Sequence, residues 1–490
     1  MVTQALLRKY SQVFPVGSAG VKYPDLLKSR RKAHLKKLDN FAVFSGLQRE
    51  PGSEHLWIMS GLRIFQEPAM IHLTGINQPK VILILNPKGG PGTSGKEKEI
   101  LFISDKDPSK EFWDGVRLGF PKELTAKGKT DLAELRALTG IEDIRPLAQF
   151  PTYFQKLVVT TSQSFGYAFY HSYETRVDGQ AKTLETKTDY NWEFKTYLEN
   201  LVETNPNPRN GLFEIRSFVE PHFKLRLPLE PSQIKDVGIA VGYTHQAFCD
   251  TLAKLSEFKN ENELSAHLEA GMKSRSASGL SFPNIVAAGK NATILHYMKN
   301  DEPISPGSLV LLDFGVRYGT MHADISRTVP VSGKFNPLQA LLYDIVLQAE
   351  KENQKNAKPG ETIRNLNRKV WTFLEDQLKV RFFDRGGKAI RAYNVQPHGV
   401  SHLMGEQEHD GDPHRLYQDF PLQEGWQISN EPGLYGHFTI TLAGKKYSEW
   451  IGIRIEDDLL ITKRGSKNLS EEIPRKIADL EALIGVKPHV

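Results

Sequence analysis

The sequence predicts an α+β protein of two domains, and three observations point to it. The 490 residues exceed what a single core usually organises. In the first half, short apolar strands alternate with helical stretches, the pattern of a sheet covered by helices. After residue 230 two helical patterns give way to strand-like segments that carry carboxylates.

The elements follow in order. Tyr23 to Leu38 reads as a charged helix, with Lys28-Ser29-Arg30-Arg31-Lys32 as its solvated face. Phe41–Phe44, Val81–Leu85 and Ile100–Ile103 read as apolar strands. Between the last two lies Gly90-Pro91-Gly92-Thr93-Ser94-Gly95-Lys96, which has the Gly and Lys spacing of a phosphate-binding loop. Glu97 stands where a magnesium-holding hydroxyl belongs, and a strand follows where a helix N-terminus is needed. The segment is therefore expected to be a hairpin loop. Residues 174–210 are polar, including Asn205-Pro206-Asn207-Pro208, and are expected to form an irregular insertion or lid-like loop.

Pro228 to Ser232 punctuates the chain, so the boundary is placed between a domain at 1–230 and one at 231–490. Ser232 is the expected cap of a helix whose apolar positions are Ile234, Val237, Val241, Phe248, Leu252 and Leu255. Leu264, Leu268 and Met272 continue at steps of four on a second helix. From Ser281 strands return, with one long helical stretch near Asn336 to Val380.

Composition excludes several classes. A net charge of +5 without a concentrated basic block gives no reason to expect nucleic acid. No window approaches the roughly 18 apolar residues of a membrane-spanning helix. The N-terminal stretch lacks the apolar core of a signal peptide. Cys249 is the single cysteine, so no intrachain disulfide forms, which suits a reducing compartment, in the simplest case the cytoplasm. Cys249 itself reads as a small buried hydrophobe.

The chemistry concentrates in the second half. Asp313 and Asp324 lie eleven residues apart on strand-like segments, and Arg317-Tyr318-Gly319 can turn the chain between them. Two carboxylates aimed at one spot need a cation between them. His402, Glu431 and Glu456 follow, completing the ligand types of a two-metal hydrolase site. Each has a plainer reading. Asp313 fits a turn, and Asp324 fits a pair with Arg327. His398, His402 and His409 fit a surface cluster, and Arg454 with Glu456 fits a solvent-facing strand pair. The order Asp, Asp, His, Glu, Glu within one domain outweighs them together.

With their flanks, these residues resemble the pita-bread metallopeptidases, the family of methionine aminopeptidase, Xaa-Pro aminopeptidase and prolidase. Asp313-Phe314-Gly315 and Asp324-Ile325-Ser326-Arg327-Thr328 match its aspartate motifs. His398-Gly399-Val400-Ser401-His402, with Gly405 and His409-Asp410, matches the histidine motif of the proline-specific branch. Glu431-Pro432-Gly433-Leu434-Tyr435 and Gly452-Ile453-Arg454-Ile455-Glu456-Asp457 match the glutamate motifs, and Ile294-Leu295-His296-Tyr297 a further histidine segment. Upstream, Phe65-Gln66-Glu67-Pro68, Leu73-Thr74-Gly75 and Phe112-Trp113-Asp114-Gly115 resemble the N-terminal domain of Xaa-Pro aminopeptidases. The resemblance is absent in roughly 165–215. Leu403 and Met404 depart from the usual Trp-Leu pair, and Asn430 from the usual apolar residue before the glutamate. Both departures are expected to reshape the pocket.

The resemblance implies a C-terminal pita-bread catalytic domain behind a smaller, mixed α/β aminopeptidase P-like domain. It implies two divalent ions, Mn²⁺ first with Co²⁺, Fe²⁺ or Zn²⁺ as alternatives, held by Asp313, Asp324, His402, Glu431 and Glu456. Asp324 and Glu456 would bridge them. Glu431 would also shuttle a proton, while His296 and His409 would hold the substrate near its reacting carbonyl. His398 and Arg454 would define the proline side. The implied activity is release of an N-terminal residue from peptides with proline second. A prolidase restricted to X-Pro dipeptides and a non-catalytic peptide-binding module are the alternatives. The family also implies a homo-oligomer, a dimer or tetramer.

Overall fold

The computed structural model describes residues 2–48, 66–93, 95–170, 172–177, 180–185, 190–206, 212–276, 278–380, 397–411 and 415–485. The chain divides into two compact units, with the break between Arg226 and Leu227.

The first unit contains strands β1 (Ala42–Ser45), β2 (Val81–Leu85), β3 (Glu99–Ile103), β4 (Asp143–Pro146), β5 (Phe165–Ala168), β6 (Ser172–Val177), β7 (Gln180–Glu185) and β8 (Glu214–Ser217). Six form one mixed sheet in the order β4-β3-β2-β1-β5-β8, and β6 pairs with β7 as a separate hairpin. The glycine-rich stretch that mimics a phosphate loop joins antiparallel β2 and β3. It is a hairpin connection, closed by Gly90 N–H donating to Lys96 O at 2.9 Å.

Val43, Ile82, Ile84, Ile100 and Phe102 pack with Phe150, Phe154 and Leu157 of helix Phe150–Thr160. Phe194 and Leu198 of helix Tyr190–Glu203 join the same core. This helix and the β6–β7 hairpin replace the irregular insertion expected across 174–210. Phe194, Leu198 and Leu201 recur at helical spacing, but the polar residues between them dilute the stripe in the sequence. Within that segment, 178–179, 186–189 and 207–210 lie outside the described residues.

Helix Tyr23–Leu35 corrects a second expectation. Arg30 and Arg31 are buried, not solvated. Arg30 donates to His72 O at 3.1 Å and Arg31 to Leu73 O at 2.8 Å, two carbonyls in the last turn of helix Pro68–Thr74. A helix end leaves such carbonyls without intrahelical donors, and the guanidinium groups supply them. Arg31 also pairs with Glu99 at 2.8 Å. One turn on, the buried His34 contacts Arg30 O through Nδ1 and His222 Nδ1 through Nε2, both at 2.9 Å.

In the second unit, helices Pro231–Ala253 and Glu261–Arg275 pack together and precede β9 (Ile285–Ala288), β10 (Leu309–Phe314), β11 (Arg317–Tyr318), β12 (Met321–His322) and β13 (Ile325–Pro330). The antiparallel sheet runs β13-β10-β9, and β11 pairs with β12 as a small hairpin. The order then recurs. Helices Pro337–Asn356 and Ile363–Lys379 precede β14 (Leu403–Met404), β15 (Gln427–Asn430), β16 (Gly433–Leu442), β17 (Lys445–Arg454), β18 (Asp457–Ile461) and β19 (Ser466–Asn468). A second sheet runs β14-β15-β18-β19, and β16 pairs with β17 as a long hairpin. Ala443 and Gly444 at its tip have φ of 48° and 78°, the left-handed pair a two-residue hairpin loop demands.

Val237, Val241, Phe248, Leu252, Leu264, Leu268 and Met272 are all buried in one core with Val310 and Leu312 of β10. The first helix is capped by Glu230, in a capping box with Gln233, and not by Ser232. Pro231 takes the first helical position, where its missing N–H costs nothing, so the cap falls at Glu230, two residues before Ser232. The single helical stretch expected over 336–380 is two helices. Pro359 and Gly360 separate them, with Gly360 at a φ of 86°. Cys249 is half-buried rather than buried. Among the described residues no helix is long and apolar enough to cross a membrane.

Burial lowers the His34 pKa from 6.5 to about 4. The folded value lies below the unfolded one, so the stability it contributes is present above pH 6.5 and lost as pH falls through about 4. Melts between pH 7 and 4 are expected to lose roughly 3 kcal/mol through this group, and His34→Gln is expected to flatten that slope. Equal slopes for both proteins would show that His34 is not the acid-sensitive group.

Candidate metal centre

The two sheets of the second unit bring all five expected ligands together at strand ends. Asp313 is the penultimate residue of β10, opposite Ser326 of β13. Asp324 immediately precedes β13, after the small hairpin that Gly319 allows. His402 precedes β14, Glu431 follows β15, and Glu456 joins β17 to β18. The strand partners Asn430 and Asp457 place Glu431 and Glu456 side by side. Glu456 N–H donates to Ser326 O at 3.0 Å and ties the two sheets at the site.

Ligand atoms of Asp313, Asp324 and Glu456 lie within 4.8 Å of one another, as do those of His402, Glu431 and Glu456. Glu456 is common to both groups. A third group joins Asp324, His402 and His409. His402 contacts Leu403 O through Nδ1 at 3.1 Å. That bond places the proton on Nδ1 and turns the Nε2 lone pair toward Asp324 and Glu431, at 3.5 and 3.6 Å. His402 N–H and the Glu431 carboxylate share Ser429 Oγ, at 2.9 and 3.4 Å.

Electrostatics show what this cluster lacks. Burial first, then neighbouring carboxylates, raise Asp324 and Glu456 well above the usual range. Burial pushes Glu431 up to about 7. Asp313 Oδ2 takes a 2.5 Å ion pair from Arg454, while its buried Oδ1 has no hydrogen-bond partner among the described residues. One arginine does not balance four clustered acids. Hard oxygen donors, one imidazole with a free lone pair and an unpartnered buried oxygen fit divalent cations.

Arg454 is an organiser as well as a counter-charge. It donates through Nε to Ser326 Oγ at 2.7 Å, and that hydroxyl donates to Glu456 Oε2 at 2.8 Å. Through Nη1 it reaches Tyr435 OH at 3.3 Å. Tyr435 OH lies 3.0 Å from His398 Nε2, and His398 Nδ1 lies 2.7 Å from Gly399 O. Burial, with Arg454 nearby, lowers His398 to about 4, so it is a neutral acceptor for the tyrosine. The Arg454 and Glu456 side chains are buried, not solvent-facing.

The remaining predicted residues surround this centre. His409 is exposed, with its ring 4.1 Å from that of His402. His296 is exposed. Gly452 holds the preceding turn close, since a Cβ there would sit 1.9 Å from Ala292 O. Ser326, Ser429 and Tyr435 carry contacts that residue-type reasoning left without a role. Ser326 and Tyr435 stand inside the quoted motifs, but a hydroxyl gives no sign of its partners in one sequence. Asn430, expected to reshape the pocket, is fully buried behind Glu431. Its side chain turns to helix Pro337–Asn356, bonding Glu350 and Asn353.

Residues 233–463 match the model of Metallopeptidase family M24, and residues 27–165 match that of the Aminopeptidase P, N-terminal domain. Xaa-Pro aminopeptidase 3 of Rattus norvegicus is 31% identical over 427 residues, 85% of this chain and 76% of that protein. The chain belongs to the aminopeptidase P family of M24 metallopeptidases. Intermediate cleaving peptidase 55, mitochondrial, of Arabidopsis thaliana is 35% identical over 426 residues, covering 86% of this chain and 76% of its own. An Escherichia coli aminopeptidase P structure shares the fold with a TM-score of 0.74 at 22% identity, covering 95% of this chain and 99% of its own.

Ser326→Ala removes the hydroxyl that links Arg454 Nε to Glu456 Oε2 and leaves only their longer 4.0 Å ion pair. Divalent-metal affinity measured by titration calorimetry is expected to fall about tenfold. Unchanged affinity would show that the hydroxyl does not orient Glu456.

Proposed function

We propose that the protein is a dinuclear metal-dependent Xaa-Pro aminopeptidase, releasing the N-terminal residue from peptides whose second residue is proline. The observation that carries this reading is the convergence of Asp313, Asp324, His402, Glu431 and Glu456 in two ligand groups joined by Glu456. The names of the rat and Arabidopsis relatives and the intact ligand set support a peptidase over a non-catalytic binding module.

Asp324 and Glu456 would bridge two ions, Asp313 would complete one shell, and His402 and Glu431 the other. Mn²⁺ is the first choice for this oxygen-rich set, with Co²⁺, Fe²⁺ and Zn²⁺ as alternatives. Bound divalent ions supply Lewis acidity to the scissile carbonyl and the attacking water. Glu431 takes the water's proton on Oε2, the oxygen turned to His398 rather than His402, and passes it to the departing proline nitrogen. His296 and His409, on the exposed side, hold the substrate carbonyl. The X-Pro bond has no N–H to recognise, so selectivity comes from shape. His398 and Arg454, joined through Tyr435 OH, form a rigid wall for the ring. The single cysteine suits a reducing compartment, the cytoplasm first. The mitochondrion, named for the Arabidopsis relative, is the alternative.

Peptide length separates the two proline-specific readings. The protein with Mn²⁺ is expected to split both Ala-Pro and Ala-Pro-Ala, followed by chromatography of released alanine. Cleavage of the dipeptide alone would make it a prolidase. Asp324→Asn is expected to lower kcat by about three orders of magnitude or more and to reduce bound metal, measured by atomic emission. Near-normal turnover at full metal content would refute the bridging role.

A further inference from the structure

Asn430 ends β15 immediately before Glu431 and is fully buried. Its Nδ2 donates to Glu350 O and to Glu350 Oε1, both at 3.0 Å. Its Oδ1 accepts from Asn353 Nδ2 at 2.8 Å. Asn353 Nδ2 also donates to Ser401 Oγ at 3.1 Å, and Ser401 precedes His402. Glu350 and Asn353 lie three residues apart on helix Pro337–Asn356, so one helical face holds the residues next to two metal-ligand candidates.

The contacts continue beyond the helix. Glu350 Oε2 faces Arg475 Nε at 3.8 Å, and Arg475 Nη1 pairs with Asp457 Oδ2 at 2.6 Å. Asp457 Oδ1 pairs with Arg327 Nη2 at 2.7 Å. Arg327 Nη1 donates to Glu456 O at 2.6 Å and Ser326 O at 3.0 Å. A buried polar chain thus runs from the neighbours of His402 and Glu431 to the backbone of Glu456. Glu350, Asn353, Ser401, Asn430, Asp457 and Arg327 each expose 2% or less of their surface.

Such a network is expensive to desolvate and adds little to stability over apolar packing. Its value is geometric, because donors and acceptors define one arrangement where apolar contacts tolerate several. Metal ligands need that definition, as small displacements cost affinity. Consecutive residues of an extended strand point to opposite sides, so Asn430 grips the helix while Glu431 faces the centre.

We propose that Glu350, Asn353 and Asn430 are positioning residues that set His402 and Glu431 for metal binding. The proposal rests on the metal-centre reading above and not on the identity of the substrate.

The test is Glu350→Met combined with Asn430→Val in the full chain, which replaces both partners by apolar groups of similar size. Apo melting temperature in EDTA is expected to stay near wild type, while the Mn²⁺ dissociation constant from titration calorimetry rises about tenfold or more. Glu350→Gln, which keeps the acceptor for Asn430, is expected to retain near-normal affinity. An unchanged Mn²⁺ affinity in the double variant would overturn the proposal. If that variant does not fold, Asn353→Ala removes only the bonds to Asn430 and Ser401. A dissociation constant raised at least threefold then supports the network, and an unchanged one overturns it. The affinity readout stands whether or not Ala-Pro-Ala is cleaved, so failure of the peptidase reading and failure of the network are separate results.

Discussion

Four carboxylates gathered around one arginine are the constraint on which the second unit depends. Asp313, Asp324, Glu431 and Glu456 repel one another in a poorly solvated place, and Arg454 answers only part of that charge. Protons or divalent cations must supply the rest. Like charges held this close cost several kcal/mol, so every nearby element has to resist their separation.

The resistance is built at strand ends. Each ligand candidate sits where a strand begins or stops, so the ladder fixes its backbone while its side chain leaves the sheet. Glu456 N–H on Ser326 O joins the two sheets across the site. Arg327, fully buried, donates to Ser326, Glu456, Ile473 and Pro474 carbonyls and pairs with Asp457. Its planar fork satisfies acceptors that a lysine could not reach together. The bland pairing of Arg327 with Asp324 that the sequence allowed is thus replaced by one with Asp457.

Much of the site was legible because its residue types are rare in these surroundings. Carboxylates and histidines on turn-bounded strand segments have few structural reasons to be there, and their order within one domain is informative. Hydroxyls and amides are different. Ser326, Ser429 and Asn430 occur everywhere in proteins, and their meaning lies in partners up to about 130 residues away. The buried Arg30 and Arg31 were misread for the same reason. A basic run looks solvated until the carbonyls of another helix end are found beside it. The helix at 190–203 was missed because its apolar stripe is diluted by polar neighbours.

The sequence by itself determined the fold class, the apolar periodicity of the two helices after residue 230, three of the six strands of the first sheet and the identities of the metal-ligand candidates. These are local properties, set by spacing of three to four or two residues and by the chemistry of single side chains. Only the tertiary structure decided which atoms face one another. It set the tautomer of His402 through Leu403 O, the lone oxygen of Asp313 and the hydroxyl between Arg454 and Glu456. It also turned Asn430 away from the pocket into a polar chain behind the ligands. Those choices depend on distance and direction between distant segments, and chain order carries neither.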